Sequence, residues 1–239
     1  MCCNFNPTRC TAVIQTAWTP DSLIARIAAL ELEDSNRIEE DCCMTLVARL
    51  KVTLSDVEPQ VLRRFDVTLK IKLSRLHDVI QAAMGWTDSH LYEFRAGGVG
   101  WGVPDADGYY DGPLPASKTS LLDVLEDVGT KTIHYIYDFG DNWHHVIKVE
   151  KIDDAIPGAA YPRLVRAIGA CPPEDVGGFP GYADFLEAMA DPKHEEHNRM
   201  LEWYGEKFDP EEAEIGRILD NFERLAKKWA PKPRKPKAV

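Results

Sequence analysis

From Met44 onward, apolar and polar residues alternate in a way that reads directly as strands. Leu46, Ala48, Leu50, Val52 and Leu54 share one face of a first strand, the period-two pattern of a half-buried sheet element. Val61, Arg63, Phe65, Val67 and Leu69 share one face of a second, with Glu58-Pro59 marking the turn between the two. Leu73, Leu76, Ile80 and Ala83 then recur at helical spacing, and Gly85 supplies the stop. A third strand is expected over His90 to Arg95, followed by a Gly-, Pro- and Asp-rich loop or irregular hairpin from Gly97 to Gly112. Ser120 caps a short helix carrying Leu121, Leu122 and Leu125 and ended by Gly129. Two strong strands follow, Thr132 to Tyr137 and Trp143 to Lys151, joined by Asp138-Phe139-Gly140-Asp141-Asn142. Gly, Asp and Asn tolerate positive φ, so this connection predicts a hairpin with a shaped tip.

After the proline- and glycine-rich stretch 157 to 181, the chain turns helical. Tyr182, Phe185, Leu186 and Met189 form one stripe, and Met200, Leu201 and Tyr204 a shorter one. The last helix is expected to start at Asp209 as N-cap, with Pro210 behind it and Glu212 closing a capping box. Ile215, Ile218, Leu219, Phe222 and Leu225 would form its core face. The pattern predicts an α+β fold: a mixed or antiparallel sheet with a strand-strand-helix-strand opening and C-terminal helices packed against it.

The ends of the chain read differently. Residues 1–43 hold one expected helix, with Thr19 as N-cap, Pro20 at its first position and Leu23, Ile24, Ile27 and Leu30 on one face, and an acidic stretch from Glu31 to Asp41. Either this is an N-terminal extension or translation starts at Met44, the favoured alternative. Residues 44–229 are expected to form one domain. Residues 230–239 form a basic, proline-rich tail whose composition cannot build a packed core.

Charge and cysteine usage narrow the function. A net charge of −11 repels nucleic acid and anionic membranes on average, leaving only weak phosphate contact through the tail and making a protein the expected partner. Five of the six cysteines, Cys2, Cys3, Cys10, Cys42 and Cys43, precede Met44, and only Cys171 follows it. That is no disulfide framework for the main domain, and adjacent pairs lack the spacing of a zinc site. Reduced thiols in the cytoplasm are expected. No apolar run is long enough to span a bilayer, and no Walker, dinucleotide-binding or serine-elbow motif is present.

Three polar clusters interrupt the pattern. In the hairpin, Asp138 and Asp141 flank Phe139-Gly140, and Trp143 and His145 lie with the apolar face of the next strand. His145 is either a core histidine oriented by a neighbour or a metal ligand, the former being the commoner case. In Cys171-Pro172-Pro173-Glu174-Asp175-Val176-Gly177-Gly178, prolines fix the backbone before two acids. Glu174 and Asp175 are then either presented in a defined direction or solvated on a rigid turn, and Cys171 alone is a weak nucleophile candidate. His194 and His197, three apart, suit a solvated helix start better than a metal site.

The same clusters carry a resemblance to the plasmid pRiA4b ORF-3-like family. The matching stretches are Leu76-His77-Asp78-Val79-Ile80-Gln81 with Gly85-Trp86, Ser89-His90-Leu91-Tyr92-Glu93-Phe94, and Tyr137 to Trp143 with His145. Cys171 to Asp175 with Gly177-Gly178 and Gly181-Tyr182, then Trp203, Gly205 and Phe208-Asp209-Pro210, complete the set over about Thr45 to Phe222. The resemblance implies a β-grasp-like opening and members in bacteria and archaea that travel with plasmids and transposable elements. It implies no established reaction, and Val176 stands where members often carry a second cysteine. Two functions follow as expectations. The leading one is a non-catalytic binding module using the hairpin, the acidic turn and the loop aromatics Trp101, Tyr109 and Tyr110. The alternative is a metal-dependent hydrolase or nuclease-like enzyme in which Asp138, Asp141, His145, Glu174 and Asp175 converge on a divalent ion, with Asp138, Asp141, His145 and Glu174 as ligands.

Overall fold

The structure is a computed structural model; it describes residues 45–105 and 112–230. The helix expected near Thr19, Tyr109, Tyr110 and the basic tail lie outside these residues.

Strand β1 (Leu46–Leu54) pairs antiparallel with β2 (Leu62–Thr68), and helix α1 (Leu73–Met84) follows. Strands β3 (Tyr92–Ala96), β4 (Val99–Gly102) and β5 (Leu114–Pro115) lead to helix α2 (Leu121–Val128). The hairpin strands β6 (Thr132–Tyr137) and β7 (Trp143–Asp154), then β8 (Arg163–Ile168), complete one eight-stranded sheet in the order β5-β4-β3-β6-β7-β1-β2-β8. Helices α3 (Gly178–Ala190), α4 (His197–Tyr204) and α5 (Ile215–Trp229) end the described chain. Only β4 and β5 run parallel among the described pairs, so the sheet is mixed and the fold α+β. The opening follows the expected strand-strand-helix-strand order, but β3 is separated from β1 by β6 and β7 and does not pair with it.

The period-two alternation places Leu50, Val52, Phe65, Tyr135 and Ile147 on one sheet face, all wholly buried or nearly so. Helix α1 lays Leu73, Leu76, Ile80 and Ala83 on the core. Its first amides are satisfied by backbone rather than by a side-chain cap: Leu73 N–H donates to Thr119 O and Ser74 N–H to Ala116 O. Gly85 ends the helix in the left-handed conformation, its N–H on Gln81 O. Helix α5 joins through Phe222, edge-to-face on Phe65 at 5.8 Å. Ser120 caps α2 as expected, with Asp123 completing a reciprocal capping box.

Three expectations are corrected. The stretch 157 to 181, read as irregular, contains β8 and the first turn of α3; its Arg163, Val165 and Arg166 are exposed, so this edge strand shows no apolar alternation. The stretch after Gly97, expected as a loop or irregular hairpin, does form a hairpin of β3 with β4, but Trp101 is 3% exposed and packed in the core rather than available as an anchor. Helix α5 starts at Ile215, not after Asp209. Asp209 instead forms a tight turn, accepting Glu211 N–H with its carboxylate and Glu212 N–H with its carbonyl. Of its expected face, Ile218 and Phe222 are buried while Ile215 and Leu219 are about half exposed. The helix start expected at His194 and His197 is found: His197 opens α4 with Nδ1 on Ala188 O, and His194 lies before it, so the pair does not share a helical face.

Arg63 is the unexpected member of the core. It is 1% exposed, and its guanidinium donates to Ala83 O at 2.8 Å, Ile168 O at 2.7 Å and Leu62 O at 3.0 Å. These carbonyls join the C-terminal end of α1, where the helix dipole favours a cation, to β2 and β8. Burial lowers the Arg63 pKa, and fork-shaped donation to three carbonyls is what lets the charge remain. Arg63→Ala is expected to cost about 3–5 kcal/mol in urea denaturation, because it strands those carbonyls. Arg63→Lys, lacking the planar fork, is expected to recover less than half of that loss.

Candidate functional site

The β6–β7 connection is built on backbone conformations that Asp and Asn tolerate: φ is 56° at Asp138 and 57° at Asn142. Asp138 Oδ1 accepts Gly140 N–H at 2.9 Å, and Asp138 O accepts Asn142 N–H. The tip is thereby closed around its own aspartate, leaving Phe139 54% exposed. Asp138 N–H donates to Leu91 O at 2.9 Å, which brings the segment before β3 alongside.

The Cys171–Gly178 loop meets this tip from the other side. Gly177 N–H donates to Asp141 Oδ2 at 3.2 Å. Gly178, at φ 68°, passes so close that a Cβ there would lie 2.6 Å from Asp141 O, so this approach requires glycine. Trp86 Nε1–H donates to Pro172 O at 2.9 Å, and the indole stacks on Tyr137 at 5.0 Å. Glu174 is clamped. Its Oε1 accepts the Tyr137 hydroxyl at 2.6 Å, and its Oε2 accepts both Thr87 N–H at 2.9 Å and Thr87 Oγ1–H at 2.6 Å. Tyr137 OH in turn accepts Ser89 N–H at 3.0 Å. Burial first, then the Glu174 hydrogen bond and charge, push the Tyr137 pKa up, so the phenol stays protonated and donating.

Asp175, next along, takes φ 59° and turns outward to His90. His90 Nε2–H donates to Asp175 Oδ1 at 2.9 Å and lies 3.6 Å from Asp138 Oδ2. Ligand-capable atoms of His90, Asp138 and Asp175 all fall within 4.8 Å of one another, as do those of His77, Asp78 and Asp88. The second group has a structural use for its histidine. His77 Nε2–H donates to Asp88 Oδ1 at 2.6 Å, and its Nδ1 accepts the Tyr135 hydroxyl at 2.7 Å, while the ring stacks on Tyr92. Burial lowers the His77 pKa despite Asp88.

The expected site residues thus divide. Asp138, Asp141, Glu174 and Asp175 gather where the hairpin tip meets the loop. Trp143 and His145 are 2% and 0% exposed and belong to the core. His145 Nδ1–H faces Trp143 O at 3.1 Å and Tyr135 O at 3.3 Å, Nε2 has no hydrogen-bond partner, and burial drives the pKa down to about 3. Its neighbours in hydrogen bonding are carbonyls, not carboxylates. Cys171, half-buried at the start of the loop, has its thiol raised to about 12 by burial, which keeps it protonated. Nothing in the sequence marks Thr87 as a site residue, and His90 and Tyr137 stand out only as part of the stretches that carry the family resemblance. His90 read as the first residue of a strand, and only the fold reveals that it stands just before β3 facing the loop.

Structure and sequence comparisons place this α+β arrangement among proteins without an assigned activity. The described fold matches the crystal structure of a protein of unknown function, MM3350, from Methanosarcina mazei Go1, with a TM-score of 0.64 and 34% identity, covering 71% of this chain and 95% of that one. Residues 46–217 match the plasmid pRiA4b ORF-3-like protein family, and the chain belongs to it. An uncharacterized protein, y4hQ, from Sinorhizobium fredii (strain NBRC 101917 / NGR234) is 52% identical over 190 residues, covering 79% of this chain and 97% of that protein.

Burial opposes protonation of His90, but the Asp175 hydrogen bond and the charges of Asp138, Asp175 and Glu174 outweigh it, so its pKa lies above the ordinary histidine value. A raised histidine stabilises the fold fully below the unfolded value of about 6.5, and that contribution is lost as pH rises through the folded value. NMR titration of the His90 ring is expected to give a midpoint above about 6.5, and Asp175→Asn should lower it; an unshifted ring would mean that the pair does not form.

Proposed function

We propose that this protein is a non-catalytic binding module that captures a protein partner at the end of the sheet where hairpin tip and acidic loop meet. One observation carries the reading: Leu91, Phe139 and Phe179 are 59%, 54% and 51% exposed and come from three segments tied together there. Leu91 is joined to the tip through the Asp138 N–H bond, and Phe179 follows the glycine that packs on Asp141. Isolated exposed apolar residues are ordinary, but a group of them around a polar centre is the composition of an interface. The exposed Asp175 and the half-buried Asp141 beside them favour a partner that presents basic and apolar side chains together. Glu174 and His145 support the same reading, since Glu174 is engaged in holding the fold and His145 is buried. Among the described residues no helix is long and apolar enough to cross a membrane.

The spacing of His90, Asp138 and Asp175 favours a second reading, a divalent-metal enzyme built on these three rather than on Asp141, His145 and Glu174. Elemental analysis of untagged protein separates the two: near-stoichiometric metal, lost in His90→Ala, supports the enzyme. For the binding module, Phe139→Ala/Phe179→Ala is expected to weaken retention of a partner from host extract at least tenfold, the scale of two lost aromatic anchors. Unchanged circular dichroism would show that the fold is intact. Equal retention by variant and native protein would contradict the reading.

A further inference from the structure

The sheet face opposite the core carries a charge pattern that the chain's overall acidity conceals. The register sets Arg166 of β8 opposite Arg64 of β2, Arg64 opposite Lys51 of β1, and Lys51 opposite Lys148 of β7. Four cations therefore stand side by side across four neighbouring strands, a row of about 14 Å at the usual strand spacing. One step along the strands, Arg163 faces Asp66, Asp66 faces Arg49, and Arg49 faces Lys151. Like charges directly opposite one another destabilise a sheet, so such a row is not what folding alone selects.

Counter-charges cover only part of it. Arg49 is paired with Asp66, Arg64 with Glu150 and Lys151 with Asp153. Lys51, Lys148, Arg163 and Arg166 enter no ion pair described among these residues, and Lys148, Arg163 and Arg166 are exposed. Helices α1 and α5 pack on the other face, through Ile80 and Ala83 and through Phe222 against Phe65. The net charge of −11 does not prevent a local positive field, because solvent-exposed charges farther away than about 10 Å are largely screened at 0.1 M salt.

We propose that this face binds the phosphate backbone of duplex nucleic acid. A polyanion matches a flat row of cations, and the alternation of β1, β2, β7 and β8 places no Phe, Tyr or Trp beside that row. Without such rings there is no platform for stacking unpaired bases, and no aromatic anchor of the kind an acidic protein partner would use. What remains is sequence-independent contact with phosphates through Arg forks and Lys ammonium groups. The surface is distinct from the Leu91–Phe139–Phe179 patch and does not depend on it.

The test is fluorescence anisotropy of a labelled 20-base-pair DNA duplex titrated with the full-length chain at several salt concentrations. Native protein is expected to bind at 50 mM salt with an affinity that falls steeply as salt rises. Lys51→Glu/Lys148→Glu, with the basic tail still present, is expected to bind at least tenfold more weakly and to show a salt slope smaller by about two. If that variant does not fold, Arg163→Glu/Arg166→Glu on the edge strand β8 serves in its place. Absence of binding at 50 mM salt would overturn the proposal, as would equal binding by native and charge-reversed chains, which would assign the contact to the tail. Polyglutamate competing as well as unlabelled duplex at equal charge would overturn the assignment to nucleic acid.

Discussion

The Glu174 carboxylate is the tie on which the candidate site depends. It gathers a hydroxyl from β6, through Tyr137, and an amide and a hydroxyl from Thr87 just past α1. A carboxylate with both oxygens engaged by donors this close is held in one position, and charge-assisted bonds of this kind are stronger than neutral ones. The consequences run outward along the chain. With Glu174 fixed, Asp175 must turn toward His90, and Gly177 and Gly178 reach the backbone of Asp141. Trp86, bonded to Pro172 O and stacked on Tyr137, closes the same joint from the core side.

That joint explains why residues about 35 positions apart form one surface. Asp138 satisfies the turn of its own hairpin, and Pro172 and Pro173 restrict the loop before Glu174 anchors it. Leu91, Phe139 and Phe179 are displayed on segments that the polar ties position, at the end of a sheet whose interior is closed by Phe65, Phe222 and the Arg63 guanidinium. For the proposed binding module, segments tied in this way would lose less conformational entropy on association.

Much of the frame was legible in the residues. Alternation in β1, β2, β6 and β7 reflects one buried and one exposed face, and Ser120 and Gly129 mark the ends of α2 through local backbone chemistry. β8 was not legible because an exposed edge strand lacks that alternation, and α5 was misplaced because Asp209-Pro210 has the chemistry of a turn as well as of a helix start. For the site, the acids at 138, 141, 174 and 175 were visible as breaks in the pattern. Their division of labour was not. Whether Glu174 is solvated or clamped is decided by Thr87 and Tyr137, which are distant in sequence, and His145 is core because the sheet face it shares is covered. The basic row has no signature in the sequence for a related reason: Lys51, Arg64, Lys148 and Arg166 are separated along the chain and meet only through strand register.

The Glu174 clamp, more than the neighbouring acids Asp138, Asp141 and Asp175, organises this end of the molecule. A double-mutant cycle with Tyr137→Phe and Glu174→Gln, read by urea denaturation near neutral pH, measures the tie directly. A coupling of about 1.5–3 kcal/mol, the range for hydrogen bonds to a charged group, is the expected result. Additive effects of the two substitutions would contradict the account, since they would mean that the hydroxyl and the carboxylate act independently.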